Sequence, residues 1–111
     1  MDPEETQIAR TESAFRSVNE GIAETAQLFG SDEAEFICEC ADAECQHRVP
    51  AAVDEYEEVR SDGTQFLVVE GHEKPKYERV VKRRRGYAVV RKLGRRLAAA
   101  VRARDPRTDT A

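Results

Sequence analysis

Three cysteines, Cys38, Cys40 and Cys45, fall within eight positions of a 111-residue chain. An odd, tightly clustered set makes a poor disulfide framework and a good set of reduced thiols or metal thiolates. The rest of the chain offers little from which to build a core. Charged residues are 36%, aromatics 6%, and tryptophan is absent. The interior must therefore come mostly from Val, Leu, Ile and Ala, and so small a core often needs a staple. The length allows one compact domain with extensions and excludes a large multi-domain enzyme. The expected staple is a metal.

Zinc takes four nitrogen or sulfur ligands in a tetrahedron, so three thiolates leave one ligand to be found. His47 and His72 are the only histidines. His47 is near in sequence, but a Cys-x-His pair would have to fold tightly on itself. His72 ends the best strand in the chain, beside Gly71, which permits close approach, and would tie the cysteine loop to the sheet. The site is read as Cys38, Cys40, Cys45 and His72 around Zn2+, with His47 as the alternative fourth ligand. This reading requires a backbone turn at Glu39 for both Cys38 and Cys40 to reach one ion. Without metal, Cys38 reads as a buried apolar residue and Cys40 and Cys45 as partly exposed thiols.

Periodicity supplies the frame, an α+β fold. Ile8, Phe15, Ile22 and Phe29 recur every seven positions, with Val18 and Ala26 close to the same face, predicting one long amphipathic helix from Pro3 to Phe29 capped by Asp2. Glu35 to Cys38 reads as a strand leading into the cysteine loop. Pro50 reads as the start of a helix over residues 51–60 with Val53, Tyr56 and Val59 inward. Gln65 to Glu70 is the strongest strand, and residues 77–82 and 86–92 read as a C-terminal hairpin about an arginine-rich turn. The sheet is expected to be small and mainly antiparallel. From Leu93 onward, Leu97, Ala98 and Val101 keep helical spacing, and the last six residues are expected to be disordered. The expected division is an N-terminal helix over 1–30, a compact zinc-binding α+β domain over 31–92 and a basic helical tail over 93–111.

A resemblance is carried by Phe36-x-Cys38-Glu39-Cys40, Cys45, Glu55-Tyr56-x-x-Val59-Arg60, Phe66-x-Val68, Gly71-His72-Glu73, Glu78-Arg79-Val80-Val81 and Gly86-Tyr87-x-Val89-Val90-x-Lys92, with Phe15 and Asn19-Glu20 upstream. Over about residues 10 to 92 the chain resembles a family of small, largely uncharacterised actinobacterial proteins read as zinc-binding. The resemblance groups Cys38, Cys40, Cys45 and His72 as one constellation and leaves out His47. It implies no activity. The basic residues after position 74 and the arginine-rich tail depart from the family's usual look.

The net charge of −4 hides a division: residues 1–58 carry 16 acidic and 3 basic side chains, a balance of −13, and residues 59–111 carry 6 and 15, a balance of +9. Such a chain can pair its own halves or present a basic face to an anionic partner. Arg83, Arg84, Arg85, Arg95 and Arg96 are the candidate contacts to nucleic acid, though no DNA-binding motif is present. The N-terminal helix is the candidate surface for a protein partner or self-association.

Neither a phosphate loop nor a nucleophile elbow occurs. The expected function is a non-enzymatic zinc-binding adaptor or regulator, with no catalytic residues. The alternatives are a small zinc enzyme with an open metal position and Glu39, Glu44 or Glu73 as base, or a redox sensor using Cys40 and Cys45. No apolar run approaches the roughly 20 residues of a spanning helix. The sequence starts Met1-Asp2-Pro3-Glu4-Glu5, without signal-peptide character, and a cytoplasmic location is expected.

Overall fold

A computed structural model describes residues 2–107. The fold is mixed α+β, with helix α1 (Pro3–Leu28), strands β1 (Glu33–Ile37) and β2 (Arg48–Ala52), helix α2 (Val53–Arg60), strands β3 (Gln65–Val69), β4 (Glu78–Arg84) and β5 (Tyr87–Lys92), and helix α3 (Arg95–Ala103). β1 and β2 form one antiparallel pair, and the other three strands form an antiparallel sheet in the order β3-β5-β4.

Helix α1 starts as its sequence directs. The Asp2 carboxylate accepts the Glu5 N–H at 2.8 Å while the Glu5 carboxylate accepts the Asp2 N–H, a reciprocal cap ahead of Pro3. Its buried face is not the predicted apolar stripe. Ile8 and Ala26 are buried, Phe15 and Ile22 half-buried, and Val18 and Phe29 exposed. The face turned to the core carries Glu12, Arg16, Asn19 and Ala23, roughly 100° round the helix at 3.6 residues per turn. The polar side chains there reach partners elsewhere in the chain. The Arg16 guanidinium donates to the carbonyls of Gly63 and Val101, each at 2.8 Å, and lies over the Phe66 ring 4.5 Å from its centroid.

Residues 48–52 form a strand where the sequence suggested a loop and a helix start. Pro50 pairs opposite Glu35 in register, and α2 begins at Val53. A two-stranded sheet consists of edge strands, where a residue without an N–H is tolerated. The hairpin is present, with β4 running through Arg84 and the turn made by Arg85 and Gly86. Gly86 has φ +86°, a conformation that favours glycine. Pro106 and Arg107 do not fit the expected disorder. The Arg107 guanidinium donates to Glu20 at 2.8 Å and to Glu57 at 2.9 Å; the remaining residues of that expectation, 108–111, lie outside the described residues.

The apolar core contains Phe36, Tyr56, Phe66, Leu67, Val68, Val90, Leu97 and Val101. Phe36 and Tyr56 stack with ring centroids 4.5 Å apart. Each fully buried Leu, Val or Phe contributes about 1.5–3 kcal/mol. Charged groups share this interior. Lys92 is buried against both Glu12 and Glu78, and Arg60 is buried between Glu20 and Asp105.

Candidate metal centre

The first two cysteines follow β1, the third ends the loop before β2, and the histidine follows β3. Cys38 N–H donates to the His47 carbonyl at 3.1 Å, continuing the β1–β2 pairing for one residue. The chain then moves to the edge of β3. Glu39 N–H donates to the Leu67 carbonyl at 2.7 Å, the Glu39 carboxylate accepts the Leu67 N–H at 2.9 Å, and the Val69 N–H points at the Cys38 sulfur at 3.2 Å. Residues 38 and 39 thus join the two-stranded sheet to the three-stranded one.

No turn or bend falls on residues 38–40. The reversal expected at Glu39 is unnecessary, because residues two apart in an extended stretch share a side. Cys38 and Cys40 meet in one cluster, while Glu39 goes elsewhere. Its carboxylate is fully buried and also accepts the Asn19 side-chain N–H at 2.8 Å. Asn19 uses the rest of its amide on β1, donating to the Ile37 carbonyl and accepting the Ile37 N–H, each at 2.9 Å. The helix thereby covers the backbone edge next to the cluster. Burial pushes the Glu39 carboxyl up to about 7 against the opposing pull of Asn19 and the Leu67 N–H.

Two local devices bring in the remaining groups. The Asp42 side chain accepts the Glu44 N–H at 2.9 Å and the Asp42 carbonyl accepts the Cys45 N–H at 3.0 Å, folding the loop back on itself. After β3, Gly71 takes φ +92° and His72 N–H donates to the Val69 carbonyl at 2.9 Å, a tight reversal that returns the imidazole to the cysteines. The four ligand atoms of Cys38, Cys40, Cys45 and His72 all lie within 4.8 Å of one another. His72 Nδ1 is 3.6 Å from the Cys38 sulfur and 3.7 Å from the Cys45 sulfur. Cys38 and Cys40 are buried, and Cys45 and His72 are half-buried.

His47 is not in the cluster. It is exposed, and its ring meets the His72 ring edge-on with centroids 4.8 Å apart. Hydrogen bonding from Cys38, assisted by His72, draws the Cys40 thiol down to about 5. Cys38 is held high by its bond to Cys40 and by burial, and Cys45 by burial. Three thiolates at one point need a cation between them, and a Cys3His set in this arrangement can hold a metal ion.

No family model, curated protein or solved structure matches the chain. The cluster's geometry is accordingly the basis for a functional reading. Among the described residues, no helix is long and apolar enough to cross a membrane.

Several basic side chains of the second half face carboxylates. Arg84 faces Glu55 at 3.9 Å, Arg83 faces Glu73 at 4.0 Å and Arg91 faces Asp62 at 3.7 Å, while Lys82 pairs with Glu58. Arg85, Arg95 and Arg96 are exposed. Sequence reasoning missed the buried polar groups Arg16, Asn19, Glu12 and Lys92. For the three on α1 the available signal was helical spacing: with Ala23 they occupy positions 12, 16, 19 and 23, a run as regular as that of the apolar stripe.

Proposed function

We propose that the chain is a non-enzymatic adaptor or regulatory protein whose fold is stapled by one structural zinc ion on Cys38, Cys40, Cys45 and His72. It would belong with the small actinobacterial family it resembles and act in the cytoplasm, where the thiols stay reduced. The observation that carries the reading is the spacing of the ligand atoms. Zn–S bonds of about 2.3 Å and Zn–N bonds of about 2.0–2.1 Å at tetrahedral angles place sulfur and nitrogen about 3.6 Å apart. The two distances from His72 Nδ1 are 3.6 and 3.7 Å.

A structural role accounts for where the ligands come from. Cys38 and Cys40 follow β1, Cys45 precedes β2, and His72 follows β3, so one ion would lock the two sheets together. Four protein ligands close a tetrahedral site, whereas a catalytic zinc keeps a position for water. Glu39, a candidate base for an enzyme, has its oxygens engaged by Asn19 and Leu67. The Val69 N–H on the Cys38 sulfur is the kind of surrounding hydrogen bond that steadies a thiolate ligand.

Elemental analysis of the purified protein should give about one zinc per chain. His72→Ala should weaken zinc retention more than His47→Ala. Fully folded protein without metal would overturn the staple, and the reverse order of the two variants would reassign the fourth ligand. A nucleic-acid contact through Arg83, Arg84, Arg85, Arg95 and Arg96 is the second reading, favoured by the exposure of Arg85, Arg95 and Arg96. Binding that weakens steeply with salt would support it, and no binding at low salt would remove it.

A further inference from the structure

Helix α1 uses its polar face for its own core, which leaves its apolar seam to be explained. Phe15, Val18, Ile22, Thr25 and Phe29 alternate by three and four positions, the spacing by which one helix packs along another. Val18 is 50% exposed, Leu28 84% and Phe29 81%. Val18, Ile22 and Phe29 line an open groove completed by Ala34 of β1. Gly21 lies in the same groove, and a side chain added there would meet nothing within 4 Å.

We propose that this groove is the docking surface for an amphipathic helix of basic character supplied by another protein. The inference rests on the reading of the chain as a non-enzymatic contact protein but not on the metal. An apolar helix face fits a groove of this kind through residues at i, i+3, i+4 and i+7. Charge selects the partner. From Phe15 to Glu35 the acidic residues are Glu20, which Arg60 and Arg107 already engage, and Glu24, Asp32, Glu33 and Glu35, and the one basic residue, Arg16, is fully buried. Glu33 lines the groove itself. The last turn of α1 contains no basic side chain, so the negative end of the helix dipole adds to the attraction for cations. A second copy of this chain packed through the same face would set the same acidic segment against itself. Helix α3 is no substitute, because its apolar residues Leu97 and Val101 are already buried.

The test uses the full chain, with its zinc content measured in the same sample. The probe is a labelled synthetic helix of about five turns made of Leu and Lys in helical alternation. The controls are a scrambled peptide of identical composition and a Leu/Glu version. The Leu/Lys helix should bind saturably, weaken as salt is raised, and lose about tenfold in affinity when Val18→Ser and Phe29→Ser are combined. Both residues are exposed, so the variant should keep its circular dichroism and its metal. Equal binding of the scrambled peptide, or unchanged binding by the variant, would overturn the proposal. So would a concentration-dependent dimer that the variant abolishes, which would assign the groove to a second copy. Metal content outside expectation would count against the staple alone.

Discussion

Two regions of this molecule join distant segments, and they do so by opposite chemistry. At one end, Cys38, Cys40, Cys45 and His72 bring soft ligands from three places to one point. Along the inner face of α1, the chain supplies both signs of charge itself: Lys92 sits against Glu12 and Glu78, and Arg60 sits between Glu20 and Asp105. Ligands need an ion from outside. Ion pairs need only the correct fold, but they bury charges whose loss of hydration offsets much of their attraction. With an ion bound, the first arrangement would cross-link strongly with four residues. The second specifies which surfaces meet, since a buried charge without its partner is costly.

The largest effect expected from breaking this symmetry is at the cluster. Chelation of the metal, or Cys40→Ser, should lower stability on the order of 5 kcal/mol, less than the ~10–16 kcal/mol of zinc fingers that fold only with metal. Denaturation with and without chelator measures it, and an unchanged midpoint would leave the charge networks as the main cross-link. Next in size is Lys92→Met, which strands two buried carboxylates. Removing one partner of a buried ion pair costs about 3–5 kcal/mol, readable as a shift in urea midpoint. A loss below 1 kcal/mol would mean that the aliphatic part of Lys92 carries the site.

The smallest effect is in pH dependence. Burial, reinforced by Glu78 and opposed by Lys92, pushes the Glu12 carboxyl up to about 8. A carboxyl raised on folding holds its proton in the folded state after the unfolded chain has lost it. Its contribution to stability therefore falls as pH rises from the ordinary carboxylate range to about 8 and is level above that. Glu12→Gln mimics the protonated form, so the variant should gain on the parent by about 3 kcal/mol between pH 6 and pH 9. Parallel pH profiles for the two proteins would show that Glu12 is ionised throughout.

The charge division of the sequence also takes on a location. Glu12, Glu20, Glu55, Glu57 and Glu58 of the acidic half meet Lys92, Arg60, Arg107, Arg84 and Lys82 of the basic half. The more exposed of these pairs, such as Lys82–Glu58 and Arg84–Glu55, contribute little individually. Their effect is collective, because they leave the chain as a pairing of its own halves with Arg85, Arg95 and Arg96 outside.

Much of this was legible in local pattern. Asp2 and Glu5 announced the start of α1, Phe66 to Val69 announced β3, and Tyr87 to Lys92 announced β5. Each of those signals lies within a few residues. β2 was hidden because Pro50 reads equally as a helix start, and only its pairing with Glu35 decides between the two. Among the residues that carried the family resemblance, Asn19, Glu39, Arg60, Glu78 and Lys92 are buried polar groups of the interior. Apart from Asn19, whose helical spacing with Glu12 and Arg16 marks a face, nothing local distinguishes such residues from solvated ones.

Apart from β2, the element types, the cap, the hairpin and the candidate ligand set follow from residue chemistry at short spacing. That α1 turns Glu12, Arg16 and Asn19 inward and leaves Val18 and Phe29 outside, against the usual preference for burying apolar surface, comes from the assembled fold. The reason is that a charged or amide side chain can be buried wherever a partner waits for it, and those partners, Lys92, Val101 and Glu39, come from parts of the chain that only the fold brings together.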